Sequence, residues 1–258
     1  MYSDARAAYD NLAPFYDRLT EGYAHTALVS ELVALARGHG QTGERALDVA
    51  CGTGKSTVPL AGLGYDATGC DLSPEMVRIA RERLDGGAFV ADMRSLPRVG
   101  PFDLVTCLDD SVNYLLTEDD VGRALASIAA QLRPGGQLVF DTNTIVTYRR
   151  GFSATFTVDA GEAVIRWRGQ TSPAAAHGSL CGATVEVFDP PRGRGAPRVT
   201  SVHRQRHHPA RTVRKAVAAA GLRLRAVRGL LPGGALSRRP SEDEHPKLVY
   251  LAEKEVTA

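Results

Sequence analysis

The chain has 258 residues, 43% of them hydrophobic, and a formal net charge of +2. Such a length can bury one large α/β core, and the absence of any apolar run near the roughly 20 residues that span a bilayer excludes a membrane helix. The near-neutral charge gives no case for nucleic acid. No secretory leader is visible. Cys51, Cys70, Cys107 and Cys181 lack metal-type spacing, so no metal is expected and the thiols are expected to be reduced in a cytoplasmic protein.

In chain order, Tyr9-Asp-Asn-Leu-Ala-Pro-Phe-Tyr16-Asp17 precedes a helix predicted over Thr26 to Arg37. Two tyrosines seven apart fit core packing on one helix face. Leu47 and Val49 then alternate with Asp48 and Ala50 as in a short buried strand. Cys51-Gly-Thr-Gly54 follows as a tight turn whose backbone can pass close to a ligand. Lys55 to Leu63 is predicted helical, with its amide end beside that ligand, and Tyr65 to Cys70 is the next strand. Asp71 ends that strand, 17 residues past Gly54, where a carboxylate can accept hydrogen bonds from both hydroxyls of a ribose. Ser73-Pro74 is a sound helix start.

Three ligand loops compete for this pattern. A triphosphate loop is suggested by Gly54-Lys55-Ser56, but it requires a glycine five positions before Gly54, where Val49 stands. A nicotinamide or flavin loop requires a third glycine, where Thr57 stands. The third reading is a resemblance. The loop, with Asp48, Gly52 and Gly54 matching and Ala50 in place of the first glycine, is similar to that of class I S-adenosylmethionine (AdoMet) methyltransferases.

The same resemblance runs through Asp71-Leu-Ser-Pro-Glu-Met76, Phe89-Val-Ala-Asp92-Met93, Phe102-Asp-Leu-Val-Thr-Cys-Leu108 and Leu132-Arg-Pro-Gly-Gly-Gln-Leu-Val-Phe140, about residues 45 to 146. It implies that Asp71 takes the ribose, that the Leu72 backbone lies by the adenine and that Met76 belongs to the same cofactor segment. It also implies that Asp92 reads the adenine amino group, Met93 packs on the ring and Leu108 lies beside the sulfonium. The N-terminal segment resembles the Tyr-Asp-x-Ala-x-x-Tyr-Asp segment of small-molecule methyltransferases. There the tyrosines, here Tyr16 on the cofactor side and Tyr9 toward the substrate, fold over the methionine half. Asp48 is a cofactor candidate too, although as a turn residue it can simply cap or bond the loop.

After strand five the predicted strands Ala154–Val158 and Ala163–Trp167 flank a hairpin signal, and Ala183–Phe188 and Val199–Val202 flank a Pro/Gly/Arg loop. Such an insertion is expected to lie over the carboxyl ends of the parallel strands as a substrate lid. Pro209–Ala220 returns as a helix, Leu222–Val227 and Lys247–Ala252 as strands six and seven, with a mobile loop expected over Gly229–His245. The expected fold is α/β: a Rossmann-like, doubly wound, mostly parallel seven-stranded sheet with a helical cap (1–44), a core (45–146 and 209–258) and an antiparallel insertion (147–208), all one domain.

From Pro190 to Ser241 there are thirteen Lys or Arg and no acid, which reads as a solvated basic edge or as a feature for an anionic substrate or partner. Asp109 and Asp110 follow strand four, where such methyltransferases face the methyl group and its acceptor. Adjacent side chains diverge, so at most one is expected to line the pocket. Asp109, Asp110, His207 and His208 are candidate bases or ammonium binders, with Asn113, Asn143 and Tyr148 as lining candidates. The expected activity is methyl transfer to oxygen or nitrogen of a small molecule in secondary metabolism. The alternatives are non-methylating, cyclase-like chemistry on the same fold and a non-catalytic AdoMet-binding partner. Nothing in the sequence names the acceptor or the oligomeric state.

Overall fold

The computed structural model describes residues 3–161, 163–189 and 196–255. Much of the Pro/Gly/Arg loop before Val199, and Glu162 of the hairpin signal, lie outside these described residues. The chain opens with α1 (Ser3–Leu19) and α2 (His25–Gly38). The Tyr9–Asp17 segment thus lies inside a helix, Pro14 included. An alternating βα run follows: β1 (Arg45–Val49), α3 (Thr57–Gly62), β2 (Asp66–Asp71), α4 (Pro74–Arg83), β3 (Ala88–Val90), β4 (Phe102–Cys107), α5 (Glu118–Ala129) and β5 (Leu132–Asn143). Then come α6 (Ile145–Arg150), β6 (Thr155–Asp159), β7 (Val164–Gly169), β8 (Leu180–Phe188) and β9 (Val199–Arg206). The chain closes with α7 (Ala210–Ala219), β10 (Leu222–Leu230), β11 (Leu236–Ser237) and β12 (Lys247–Lys254).

Local chemistry sets the helix starts. Ser73 accepts the Met76 N–H with Pro74 in the first helical position, so α4 begins where the chain must turn off β2. Thr117 caps α5 in the same way, and Glu118, Asp119 and Asp120 place negative charge in its first turn, where the helix dipole favours it. The helix predicted from Lys55 starts at Thr57 instead, because the Ser56 and Thr57 hydroxyls are both drawn back to Asp48.

The main sheet runs β11-β10-β12-β5-β4-β1-β2-β3. The five strands from β5 to β3 are parallel, and β12 enters antiparallel between β5 and β10. The order reverses between β1 and β4, and the crevice beyond their carboxyl ends is where such sheets bind ligands. An eighth strand, β11, adds to the seven expected. It forms inside the stretch expected as a loop, because a turn at Pro232–Gly234 folds the chain back so that Leu230 pairs with Leu236.

Strand periodicity divides the core between the two faces of the sheet. Leu47, Val105, Leu138 and Phe140 face α5 and α7, while Ala46, Leu104 and Val139 face α2 and α3. Each fully buried Leu or Phe contributes about 1.5–3 kcal/mol. The second sheet, β6-β7-β8-β9, is antiparallel, and its Ile165, Val185 and Val187 pack with Leu12 of α1. Ser201 on β9 donates to the Ala8 carbonyl at 2.7 Å, which ties that sheet to α1. α6 continues directly from β5, so the strands of the second sheet span 155–206 within the predicted insertion. Among the described residues no helix is long and apolar enough to cross a membrane.

Candidate functional site

Beyond β1 the backbone turns through three positive φ angles, at Ala50 (58°), Gly52 (54°) and Gly54 (87°). This turn places Ala50, Cys51 and Gly52 along one wall of a cavity at the switch point. At Gly52 the Tyr16 ring edge lies 3.7 Å from the position of a Cβ, an ordinary contact, so it is the positive φ that favours glycine there. Behind the turn, the buried Asp48 carboxylate accepts three hydroxyls, Ser56 and Thr57 at 2.6 Å and Thr106 at 2.7 Å. Burial raises its pKa against those three bonds. Asp48 does not line the cavity. It fixes the turn from below, with every short bond to a protein hydroxyl.

The opposite wall comes from β2. Asp71 accepts the Gly52 N–H and the Ser73 N–H, both at 2.9 Å, one on each carboxylate oxygen. Burial pushes its pKa to about 6 despite those bonds. Each oxygen keeps a lone pair for a ligand, which is the arrangement needed to hold a vicinal diol. Ser73 also donates to Asp10 of α1. Further along, Met76, Ala91 and Met93 make an apolar slot, closed by Leu115, Leu116 and Thr117. Asp92 accepts the backbone N–H of Arg94 at 3.0 Å and is ion-paired to the Arg94 guanidinium, so its carboxylate is held in place beside the slot.

The other end of the cavity is acidic. Asp109 and Asp110 both adopt left-handed backbone angles (56° and 54°) immediately beyond β4 and Leu108, and their N–H groups both donate to Asp141, at 2.9 and 2.7 Å. That carboxylate on β5 rewards a conformation that costs a non-glycine residue about 1–2 kcal/mol. Asp109 turns toward the cavity, where His25 of α2 meets it at 2.8 Å. Asp110 turns away, to Lys247 at 2.7 Å and Gln205 at 2.5 Å. Burial raises the Asp109 pKa, but His25 and Lys247 outweigh it and the carboxyl is held below its ordinary range. Asp141 is pushed by burial to about 6. Lys247, against three carboxylates, rises well above its usual value in spite of burial.

The cavity therefore gathers Tyr9, Tyr16, Ala50, Gly52, Asp71, Leu72, Met76, Asp92, Met93, Leu108 and Asp109 from the predicted set. It does not gather Asp48, Gly54, Asp110, Asn113, Asn143, Tyr148, His207 or His208. Asn113 donates to the Arg206 carbonyl and accepts the Asn143 N–H. Asn143 and Tyr148 both donate to the Gln205 side chain. These polar groups lash β9 to the core behind the cavity wall. His208 donates to the Leu115 carbonyl at 2.7 Å. His207 is buried, accepts the Gly178 N–H at Nδ1 and aims Nε2 at Glu242, 3.5 Å away. His177, His207 and Glu242 have metal-like spacing. The Gly178 bond leaves the ring proton on Nε2, which points toward Glu242 without a hydrogen bond and is not a free ligand nitrogen.

Lining residues absent from the sequence reading include Arg6, His25, Lys55, Arg94, Tyr114 and Arg204. Lys55 was readable, as the residue after Gly54. Arg6, His25 and Arg204 lie on helices and a strand far away in sequence and carry no local motif.

A turn of this shape, an acid at the end of β2 and a sheet with β12 inserted antiparallel define a class I AdoMet-dependent methyltransferase fold. The methyltransferase domain family matches residues 46–136. The chain is 36% identical over 124 residues to dTDP-3-amino-3,4,6-trideoxy-alpha-D-glucopyranose N,N-dimethyltransferase of Streptomyces venezuelae, covering 48% of this chain and 52% of that protein. It is 29% identical over 235 residues, 88% of each, to dTDP-3-amino-3,6-dideoxy-alpha-D-glucopyranose N,N-dimethyltransferase of Streptomyces fradiae. The structure of an AdoMet-dependent methyltransferase from Clostridium acetobutylicum superimposes with a TM-score of 0.78 at 21% identity, covering 96% of this chain and 99% of that one. The chain spans about half the length of several curated relatives it matches, the Streptomyces venezuelae protein among them. AdoMet is the cofactor of this class.

Proposed function

We propose that the protein transfers a methyl group from AdoMet to the nitrogen of an amine-bearing small molecule, of the nucleotide-linked amino-sugar kind named for the Streptomyces relatives. The observation that carries this reading is the single cavity with a diol-binding carboxylate, Asp71, at one end and the ionised Asp109 with Tyr9 at the other. When bound, AdoMet supplies a methyl group already activated by the sulfonium. The protein's part is alignment and exclusion of water, worth about 7–11 kcal/mol when the geometry is right. Asp71 holds the ribose, Leu72 and Met93 flank the adenine, Asp92 faces its amino group, and Tyr16 covers the methionine half. Asp109 offers a carboxylate to an amine N–H or to an ammonium. The sheet of residues 155–206 serves as the lid over a core of 45–146 and 209–258, with 1–44 as cap, and the cavity-lining Arg204 belongs to that sheet.

The test is calorimetric titration with AdoMet and, separately, NADH, followed by an acceptor screen read as S-adenosylhomocysteine release with dTDP-amino sugars. AdoMet binding without NADH binding, then product release with an amine acceptor, supports the reading. NADH binding in its place assigns Asp71 to a nicotinamide ribose and ends it.

A further inference from the structure

A hydrogen-bonded chain leads from the cavity into the second sheet. Tyr9 of α1 and Tyr114, four residues past Asp110, both line the cavity, with their hydroxyl oxygens 2.9 Å apart. Tyr114 OH lies 2.9 Å from Nδ1 of His203 on β9. His203 Nε2 lies 3.0 Å from Ser201 Oγ, and Ser201 Oγ lies 2.7 Å from the Ala8 carbonyl oxygen. The three rings pack edge to face, with centroids 5.3 to 6.1 Å apart.

The far end fixes the direction of every proton in this chain. Between Ser201 Oγ and a carbonyl oxygen only the serine has a hydrogen, so Ser201 must donate to Ala8. Ser201 Oγ can then only accept from His203, which puts the ring proton on Nε2. Nδ1 is left bare, so Tyr114 donates to it. The Tyr114 oxygen in turn accepts from Tyr9. His203 is 2% exposed and desolvation lowers its pKa to about 4, so it is neutral at pH 7 and holds one tautomer. Tyr9 has spent its only hydrogen, and among the described residues no donor reaches its oxygen.

We infer that Tyr9 orients the methyl acceptor by presenting lone pairs alone to its N–H, and that His203 and Tyr114 are positioning residues that enforce this polarity from the lid. The inference rests on the methyl-transfer reading above and adds a specificity device to it. An amine whose N–H points at Tyr9 directs its own lone pair elsewhere, toward the methyl group. A Tyr9 able to donate would instead bind that lone pair and block the attack. Closure of the second sheet against α1 thereby decides the hydrogen-bonding character of the cavity wall.

The experiment uses the full chain. Long-range ¹H–¹⁵N spectra of the imidazoles, with S-adenosylhomocysteine bound, are expected to show His203 as the neutral Nε2–H form between pH 6 and 8. An Nδ1–H form or an imidazolium overturns the inference. With whichever dTDP-amino sugar releases S-adenosylhomocysteine, His203→Leu and the shape-preserving Tyr114→Phe are expected to lower kcat about ten- to a hundredfold while the Kd for AdoMet stays within threefold. His203→Asn, which keeps an acceptor oxygen near the Nδ1 position, is expected to recover most of the loss. Unchanged kcat in Tyr114→Phe refutes the polarity role. If the unaltered protein binds AdoMet yet transfers to no amine, the methyl-transfer reading itself fails, an outcome separable from a defect confined to the variants.

Discussion

The Asp71 carboxylate accepts the backbone N–H of Gly52 at 2.9 Å. One acid on β2 thus shapes the turn that follows β1 and, with its remaining lone pairs, faces the cavity. The turn after β1 and the acid that ends β2 form one hydrogen-bonded unit.

Asp71→Ala removes both functions. The loss of two charge-assisted bonds at about 1.5–3 kcal/mol each is expected to weaken AdoMet binding by about two orders of magnitude or more. Titration calorimetry reads this directly, and an unchanged Kd would refute the ribose assignment.

The pH dependence of binding has a definite sign. In the proposed AdoMet complex the ribose hydroxyls donate to the ionised Asp71, so protonation would put a hydrogen where an acceptor is needed. With a pKa of about 6 in the folded protein, Asp71 is ionised above that pH and increasingly protonated below it. AdoMet affinity is therefore expected to be flat from pH 7 to 8 and to fall below pH 6, by up to about tenfold per unit. Asp71→Asn should bind weakly and lose most of that slope, leaving only what Asp141, also near 6, contributes.

Lys247 is the ammonium held among Asp109, Asp110 and Asp141, at 3.9, 2.7 and 3.2 Å. Lys247→Met leaves the buried Asp141 and the partly buried Asp109 and Asp110 without it, a loss of up to about 3–5 kcal/mol by analogy with broken buried pairs. Thermal unfolding should fall by about 2–4 °C for each kcal/mol in a chain of this size. A melting temperature within 2 °C of the parent would show that solvent, not Lys247, balances the cluster.

Ala50 holds a φ of 58° where a glycine pays no steric cost. Relief of about 1–2 kcal/mol of strain outweighs the 0.5–1 kcal/mol entropic cost of glycine, so Ala50→Gly is expected to stabilise the protein by up to about 1 kcal/mol. Denaturant titration checks this, and a clear destabilisation would mean that the Ala50 methyl group packs usefully against its surroundings.

The sequence by itself determined the parallel half of the fold and the end of the cavity lined by the turn after β1 and Asp71. Alternation in Leu47–Val49, the glycine turn and the acids at the ends of β2 and β3 are local patterns, set by backbone sterics and by strand-end geometry that neighbouring residues share. Asp71 ends β2 and could be placed from spacing, whereas Met93 after β3 and Leu108 after β4 were placed only through the family resemblance of their motifs. Only the tertiary structure decided which face each later residue shows. His207, His208, Asn113, Asn143 and Tyr148 are polar residues in suggestive places, yet their partners lie on β9, on the Gly178 loop or at Leu115. Those bonds take them away from the cavity. Asp109 was separated from Asp110 by Asp141, 32 residues on, which holds both N–H groups and rotates the two side chains apart. His25, Tyr114 and His203 reach their positions only when the cap, the β4 loop and the second sheet close on one another. Long-range closure of this kind leaves no periodic trace in the chain.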